Sequence, residues 1–288
     1  MDTNATGSSR LPFRRPTIVV GTESTLLGHP IIAPNQATQA GFYALDLDLR
    51  RAWDTRIPGT LADHAPAACL RSAWIPRQYT GPWREARAVH LREFLTDLVE
   101  SYGLRTVIVP SADGTRQRGT SLGQLAREVM ALGGLRVAMR VGPELLLAQP
   151  GSHLDHVANL RRMAEEWDLD LALDLTAPGI EGWEAEATLM RLFPRLTMVR
   201  IRPLHSPDGA RSQEPNARIG LRSIAMLADQ AYNGVISIAP SVSPLTRWIP
   251  AGSRVLVSTA LTREEVLAAW DRVDQYDITT WQKRQQFG

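Results

Sequence analysis

Eight short β-branched or apolar runs, separated by stretches of helical periodicity, constrain this chain more than any other feature. They are Thr17–Gly21, Phe42–Leu49, Leu70–Ile75, Thr106–Pro110, Val137–Val141, Leu171–Leu175, Met198–Ile201 and Val235–Ala239. Their starts fall roughly 30 residues apart, the span of one strand, one helix and two loops. The helical stripe is clearest in Trp83–Tyr102, where Ala86, Val89, Leu91, Phe94, Leu95, Leu98 and Val99 recur at helical spacing and Gly103 stops the run. Similar stripes cross Leu122–Leu132, Leu154–Trp167, Glu184–Phe193 and Leu221–Ala231. The pattern predicts an α/β chain folded as a single (β/α)8 TIM barrel over residues 16–288, with a C-terminal extension from about 240. A doubly wound open sheet is the alternative.

The polar residues inside the runs decide between them. Asp46 and Asp48 share one face of the second strand with Phe42 and Ala44. Ala138 and Arg140 share a face in the fifth, Ala172, Asp174 and Thr176 in the sixth, Met198, Arg200 and Arg202 in the seventh, and Ser237, Ala239 and Ser241 in the eighth. Charges at such positions are costly in a sheet covered by helices on both sides, but they are tolerated where strand ends converge on the wet C-terminal mouth of a barrel. The barrel is therefore the expected fold.

Composition removes several function classes. The 288 residues are 44% hydrophobic and 22% charged, the balance of a globular chain. No run approaches the roughly 20 apolar residues of a membrane helix. A net charge of +2 with no long basic run gives no footprint for nucleic acid. The single cysteine, Cys69, rules out an internal disulfide and suits a reducing compartment, so a cytoplasmic protein is expected. Lys283 is the only lysine, which removes imine chemistry within the barrel. The first fifteen residues read as a disordered leader without the apolar segment of a signal peptide. No G-x-S-x-G, Walker or dinucleotide fingerprint occurs, and no cofactor is expected.

Three segments carry a family resemblance. Gly41-Phe-Tyr-Ala-Leu-Asp-Leu47, the passage from Ala88 to Pro110 with Tyr102-Gly103 at its joint, and Ile224 to Ile238 ending in Tyr-Asn-Gly-Val-Ile-Ser-Ile resemble the xylose isomerase-like barrels, which include sugar and sugar-phosphate isomerases and epimerases. The resemblance implies a barrel with a site at its C-terminal mouth, and in that family a divalent cation held by carboxylates and histidines at the ends of strands five to eight. Here the strand-five position is Arg140, strand six keeps Asp174, the strand-seven histidine is replaced by Arg200, and the strand-eight glutamate by Ala239. Guanidinium donates no lone pair to a metal, so the metal site is expected to be absent or altered. A rearranged site built from Asp46, Asp48 and Asp174 is the alternative.

The resemblance marks Asp46 and Asp174 as the catalytic candidates. Asp48, Trp74, Arg140, Arg200, Arg202 and His205 are the candidates for binding substrate, because guanidinium forks pair with carboxylate or phosphate and an indole can stack on a sugar ring. The implied ligand is a small anionic metabolite or sugar phosphate. The competing reading pairs Arg140 and Arg200 with Asp46, Asp48 and Asp174 in an internal ion network that fills the space of the metal. The function expected is a sugar or sugar-phosphate isomerase/epimerase-like protein, or else a non-catalytic barrel that binds an acidic metabolite or a protein. Pro203–Arg218 reads as a lid carrying His205. Arg254–Ser258 reads as an extra strand ahead of a helix capped at Thr262 and ending near Tyr276. His153 and His156 read as part of a surface turn, Trp83 as a possible pocket wall, and Ser111–Thr115 as a turn able to meet phosphate.

Overall fold

The computed structural model describes residues 15–23, 34–48, 69–75, 84–110, 125–142, 153–176, 185–239 and 253–287. The strands are β1 (Thr17–Glu23), β2 (Ala44–Asp48), β3 (Cys69–Trp74), β4 (Thr106–Val109), β5 (Arg136–Val141), β6 (Asp170–Asp174), β7 (Leu196–Ile201) and β8 (Val235–Ile238). They close in sequence order, every pairing is parallel, and β1 joins both β2 and β8. This is the (β/α)8 barrel that the alternating pattern predicts. The described helices are α1 (Pro34–Gln39), α2 (Arg84–Tyr102), α3 (residues 125–130), α4 (His153–Glu166), α5 (Ala185–Leu192), α6 (Pro215–Asp229) and α7 (Ser253–Phe287).

Period-two alternation sorts the strand side chains into two cores. Leu45 and Leu47 of β2, Val107 and Val109 of β4, Leu171 and Leu173 of β6 and Ile236 and Ile238 of β8 face the helices and join the large outer cluster. Val19, Trp74, Ile108, Ala138, Ala172, Met198 and Val235 form a smaller cluster inside the barrel. The inward residues one pleat nearer the C-terminal ends are polar: Asp46, Asp48, Arg140, Asp174 and Arg200. The ladder slips at two places. Leu45 and Asp46 pair with Leu70 and Ser72, skipping Arg71, and Leu171 and Ala172 pair with Leu196 and Met198, skipping Thr197.

Two expectations near the C-terminus need correction. Residues 253–287 are one continuous helix, with neither a strand at Arg254–Ser258 nor a helix start at Thr262. The Thr262 hydroxyl donates to Ser258 O, one turn back at 2.7 Å, and accepts the Leu204 amide at 2.8 Å. Its burial against the segment after β7 lets a mid-helix threonine cap another element. Val266, Ala269 and Trp270 bury the adjoining face of α7, so this extension packs as part of the molecule. The segment after β7, expected to be a lid, forms a hydrogen-bonded hairpin. Ser206 accepts from Gly209 and donates to Ala210, Ser212 donates to Leu204, and His205 bridges Arg211 across the turn. The first fourteen residues, Ser111–Thr115, Trp83 and the His153 and His156 side chains lie outside the described residues.

Candidate functional site

Two charged clusters fill the C-terminal half of the barrel. The first is centred on Arg200, which β7 directs inward and which is fully buried. Its Nη1 donates to Asp48 Oδ2 at 2.7 Å, its Nε stands 3.6 Å from Asp46 Oδ2, and its guanidinium lies 5.0 Å from the Trp74 ring centroid. Stacking on the indole suits a delocalised, weakly hydrated cation. Glycine at position 21 makes room for it, because a Cβ there would come within 3.1 Å of Arg200 Nη2 and 3.2 Å of Ala239 Cα.

Asp46 is saturated from three further sides. Ser72 Oγ donates to it at 2.5 Å, Ser237 Oγ at 2.6 Å, and Trp74 Nε1 reaches both carboxylate oxygens at 2.7 and 2.9 Å. Burial raises its pKa above the ordinary carboxylate value, against the pull of Arg200 and the two serine hydroxyls. Trp74, expected to stack on substrate, is instead buried inside the barrel, where it bonds Asp46 and carries Arg200.

The second cluster lies on β5, β6 and β7. Arg140 grips Asp174 Oδ2 with Nε at 3.0 Å and Nη2 at 2.9 Å. The other oxygen of Asp174 accepts Thr176 N at 3.1 Å and Thr176 Oγ1 at 2.6 Å. Arg202 Nε donates to Thr176 O at 3.1 Å, and Asn216 Nδ2 reaches the same carbonyl at 3.4 Å. The Arg140 side chain keeps 13% of its surface exposed while that of Asp174 keeps none. Arg140 and Arg202 are thus the half-buried cations of this side of the mouth, and Arg200 is sealed below them.

His205 belongs to neither cluster. Its Nδ1 faces Gly209 O at 3.3 Å and its Nε2 faces Glu265 Oε2 on α7 at 3.0 Å, with Arg211 bound to the same carboxylate. It fastens the hairpin to the last helix. Ser72, Gly21 and Asn216 take part in the arrangement without having been singled out from sequence. Serine, glycine and asparagine carry no sequence signal of their own, and only barrel closure shows what they adjoin.

The divalent cation implied by the family resemblance can be tested against these donors. Asp48 is committed to Arg200, Asp174 to Arg140 and Thr176, and Asp46 to two serines, an indole and Arg200. An added cation would stand against one of two buried guanidiniums, and a hard ion needs several free oxygen donors. Among the described residues no group of three His, Cys, Asp or Glu side chains is disposed around a common point, so the rearranged carboxylate site is not formed either. The residues present do not fit a divalent metal at this position.

No family model matches the chain, and no curated protein matches it in sequence. Solved structures do match in shape. A xylose isomerase domain protein from Alicyclobacillus acidocaldarius aligns over 88% of this chain and 99% of its own, with TM-score 0.53 and 18% identity. The likeness is one of fold, a (β/α)8 barrel that this chain shares with a xylose isomerase domain protein. A 3-keto-D-glucoside 4-epimerase from E. coli aligns over 87% of this chain and 100% of its own (TM-score 0.52, 15% identity), and an AP endonuclease of family 2 from Brucella melitensis over 83% and 95% (TM-score 0.52, 15% identity). An epimerase and a nuclease on one xylose isomerase-like frame mean that activity must be argued from the side chains. Among the described residues, no helix is long and apolar enough to cross a membrane.

Proposed function

We propose that this xylose isomerase-like barrel binds an anionic sugar-class metabolite at its C-terminal mouth, with guanidinium groups in place of a divalent cation. The observation that carries the reading is the Arg200–Asp48 contact of 2.7 Å beneath Trp74, which commits the carboxylate face of the inner barrel to an internal cation. With Arg200 set against Asp46 and Asp48 and Arg140 set against Asp174, the groups a carboxylate or phosphate would meet at the half-buried rim are Arg202 and the outer edge of Arg140. The sugar class is drawn from the printed names of the epimerase and the isomerase-domain neighbours.

A catalytic variant of the same reading rests on Asp46, whose raised pKa suits a proton-transfer group. Its complete burial and three donor partners argue for a structural anion instead, so binding is the better-supported function. Titration calorimetry with a panel of sugar monophosphates tests the proposal. We expect one member to bind in the micromolar to millimolar range, and Arg202→Ala and Arg140→Gln each to weaken it at least tenfold, the effect of losing about 1.4 kcal/mol of ion pairing. Equal affinity in parent and variants, or no binding at millimolar ligand, overturns it.

A further inference from the structure

We infer that the opposite, N-terminal end of the barrel holds a second site, which takes a small polyphosphate. A cavity of about 640 Å³ opens there among the starts of β1, β3, β4, β5, β7 and β8. Its lining includes Arg15, Arg71, Arg105 and Arg136, together with Thr17, Thr106, Thr197 and Asn233, and among the described residues it contains no carboxylate. Among the described residues the acids beside this lining are fewer than its four guanidiniums. Asp271 pairs with Arg15 from outside the lining, Asp170 stands half-buried near Arg136 and Arg195, and Asp168 is bound by Arg195. Like charges gathered on one rim destabilise a fold unless something anionic lies between them.

The ladder geometry indicates that the gathering is built. The two register slips of the barrel skip Arg71 and Thr197, and both of these residues line this cavity. A bulge re-aims the side chain of its extra residue, at the cost of a break in the ladder. Without the slip in β3, strict alternation would set Arg71 on the opposite face from Ser72, towards the helices. Arg71 Nε is shut off from solvent and meets no acceptor among the described residues, so this guanidinium is held in its place at an energetic cost. Gly234 completes the wall, since a Cβ there would strike the Tyr232 ring and Thr197 O at 2.6 Å.

Guanidiniums from three separate strands, joined by Arg15, surround more room than one phosphate fills and match a ligand carrying two or more phosphoryl groups. The volume of about 640 Å³ suits a small molecule better than a continuous strand of nucleic acid. The site is independent of the ligand proposed for the mouth.

Inorganic pyrophosphate is the probe, titrated into the full-length protein by calorimetry and thermal shift at low ionic strength. The expected result is saturable binding at one site with a rise in melting temperature. Arg105→Gln/Arg136→Gln, which alters two exposed side chains and should fold normally, is expected to weaken binding at least tenfold, whereas Arg202→Ala at the other mouth should leave the pyrophosphate affinity within twofold. Four results each overturn the inference: no binding, a shift reproduced by sodium chloride at equal ionic strength, loss through Arg202→Ala with retention in the double variant, or displacement of pyrophosphate by a lower concentration of a single-stranded oligonucleotide.

Discussion

At the scale of single residues, Arg200 determines what the inner barrel can be. Removing it leaves Asp46 and Asp48 buried without their counter-charge, and stranding a buried charge costs about 3–5 kcal/mol. Arg200→Met should therefore lower unfolding free energy by that amount in urea titration, and Arg200→Lys should recover only part of it, because a compact ammonium cannot both stack on Trp74 and reach two carboxylates. A loss below about 1 kcal/mol would show that the network is not a structural unit. Asp46 gives the pH dependence. Its folded pKa lies above the unfolded value, so the native state holds a proton more tightly, and this group's contribution to stability falls as pH rises through the raised pKa. Asp46→Asn, which never ionises, should thus be more stable relative to the parent at pH 7 than at pH 4. Urea midpoints at the two pH values check the sign, and the opposite order refutes it. Asp46, Asp48, Arg140, Asp174 and Arg200 were legible in sequence because period two places them on one face with small or apolar neighbours. Which carboxylate each guanidinium takes was not legible, since Asp48 and Arg200 lie 152 residues apart in the chain.

At the scale of elements, the eight strands could be read from their β-branched runs, whereas the last helix could not. Arg-Val-Leu-Val-Ser at 254–258 has the composition of a strand, and Thr262-Arg-Glu-Glu265 has the spacing of a capping box. Tertiary contacts override both signals, because Val266, Ala269 and Trp270 need a continuous helix to reach the barrel wall, and Thr262 is held between Ser258 O and Leu204 N. Glu265, one turn further along α7, holds His205 and Arg211, so one helical face fixes the whole hairpin that follows β7. Thr262→Val keeps the side-chain shape and removes the acceptor from a buried amide, at an expected cost of about 1–3 kcal/mol. Hydrogen exchange should show the Leu204 amide losing protection in this variant while amides of β2 and β6 keep theirs. Unchanged protection at Leu204 would mean that the hydroxyl is not what holds the segment.

At the scale of the whole molecule, the barrel divides its charge between two ends by different means. In the C-terminal half the three carboxylates of Asp46, Asp48 and Asp174 are held by two covalently attached cations, Arg140 and Arg200, from the facing strands. At the N-terminal end Arg71, Arg105 and Arg136 converge at the starts of the neighbouring strands β3, β4 and β5, with no carboxylate among the described lining residues, and the slip that re-aims Arg71 is not legible in the linear sequence. A resident divalent ion held at a hundredfold excess over its dissociation constant would add about 2.7 kcal/mol to folding, and its removal would lower the melting temperature of a chain this size by roughly 5 °C or more. With guanidiniums already bonded to the inner carboxylates, exhaustive dialysis against EDTA should leave the melting temperature within about 1 °C, and adding back manganese, magnesium or zinc should not raise it. Elemental analysis of the same samples provides the independent check. A stoichiometric divalent ion whose loss destabilises the parent, but not an Asp46→Asn/Asp174→Asn variant, would place a metal among these side chains and displace Arg200 from the role assigned to it.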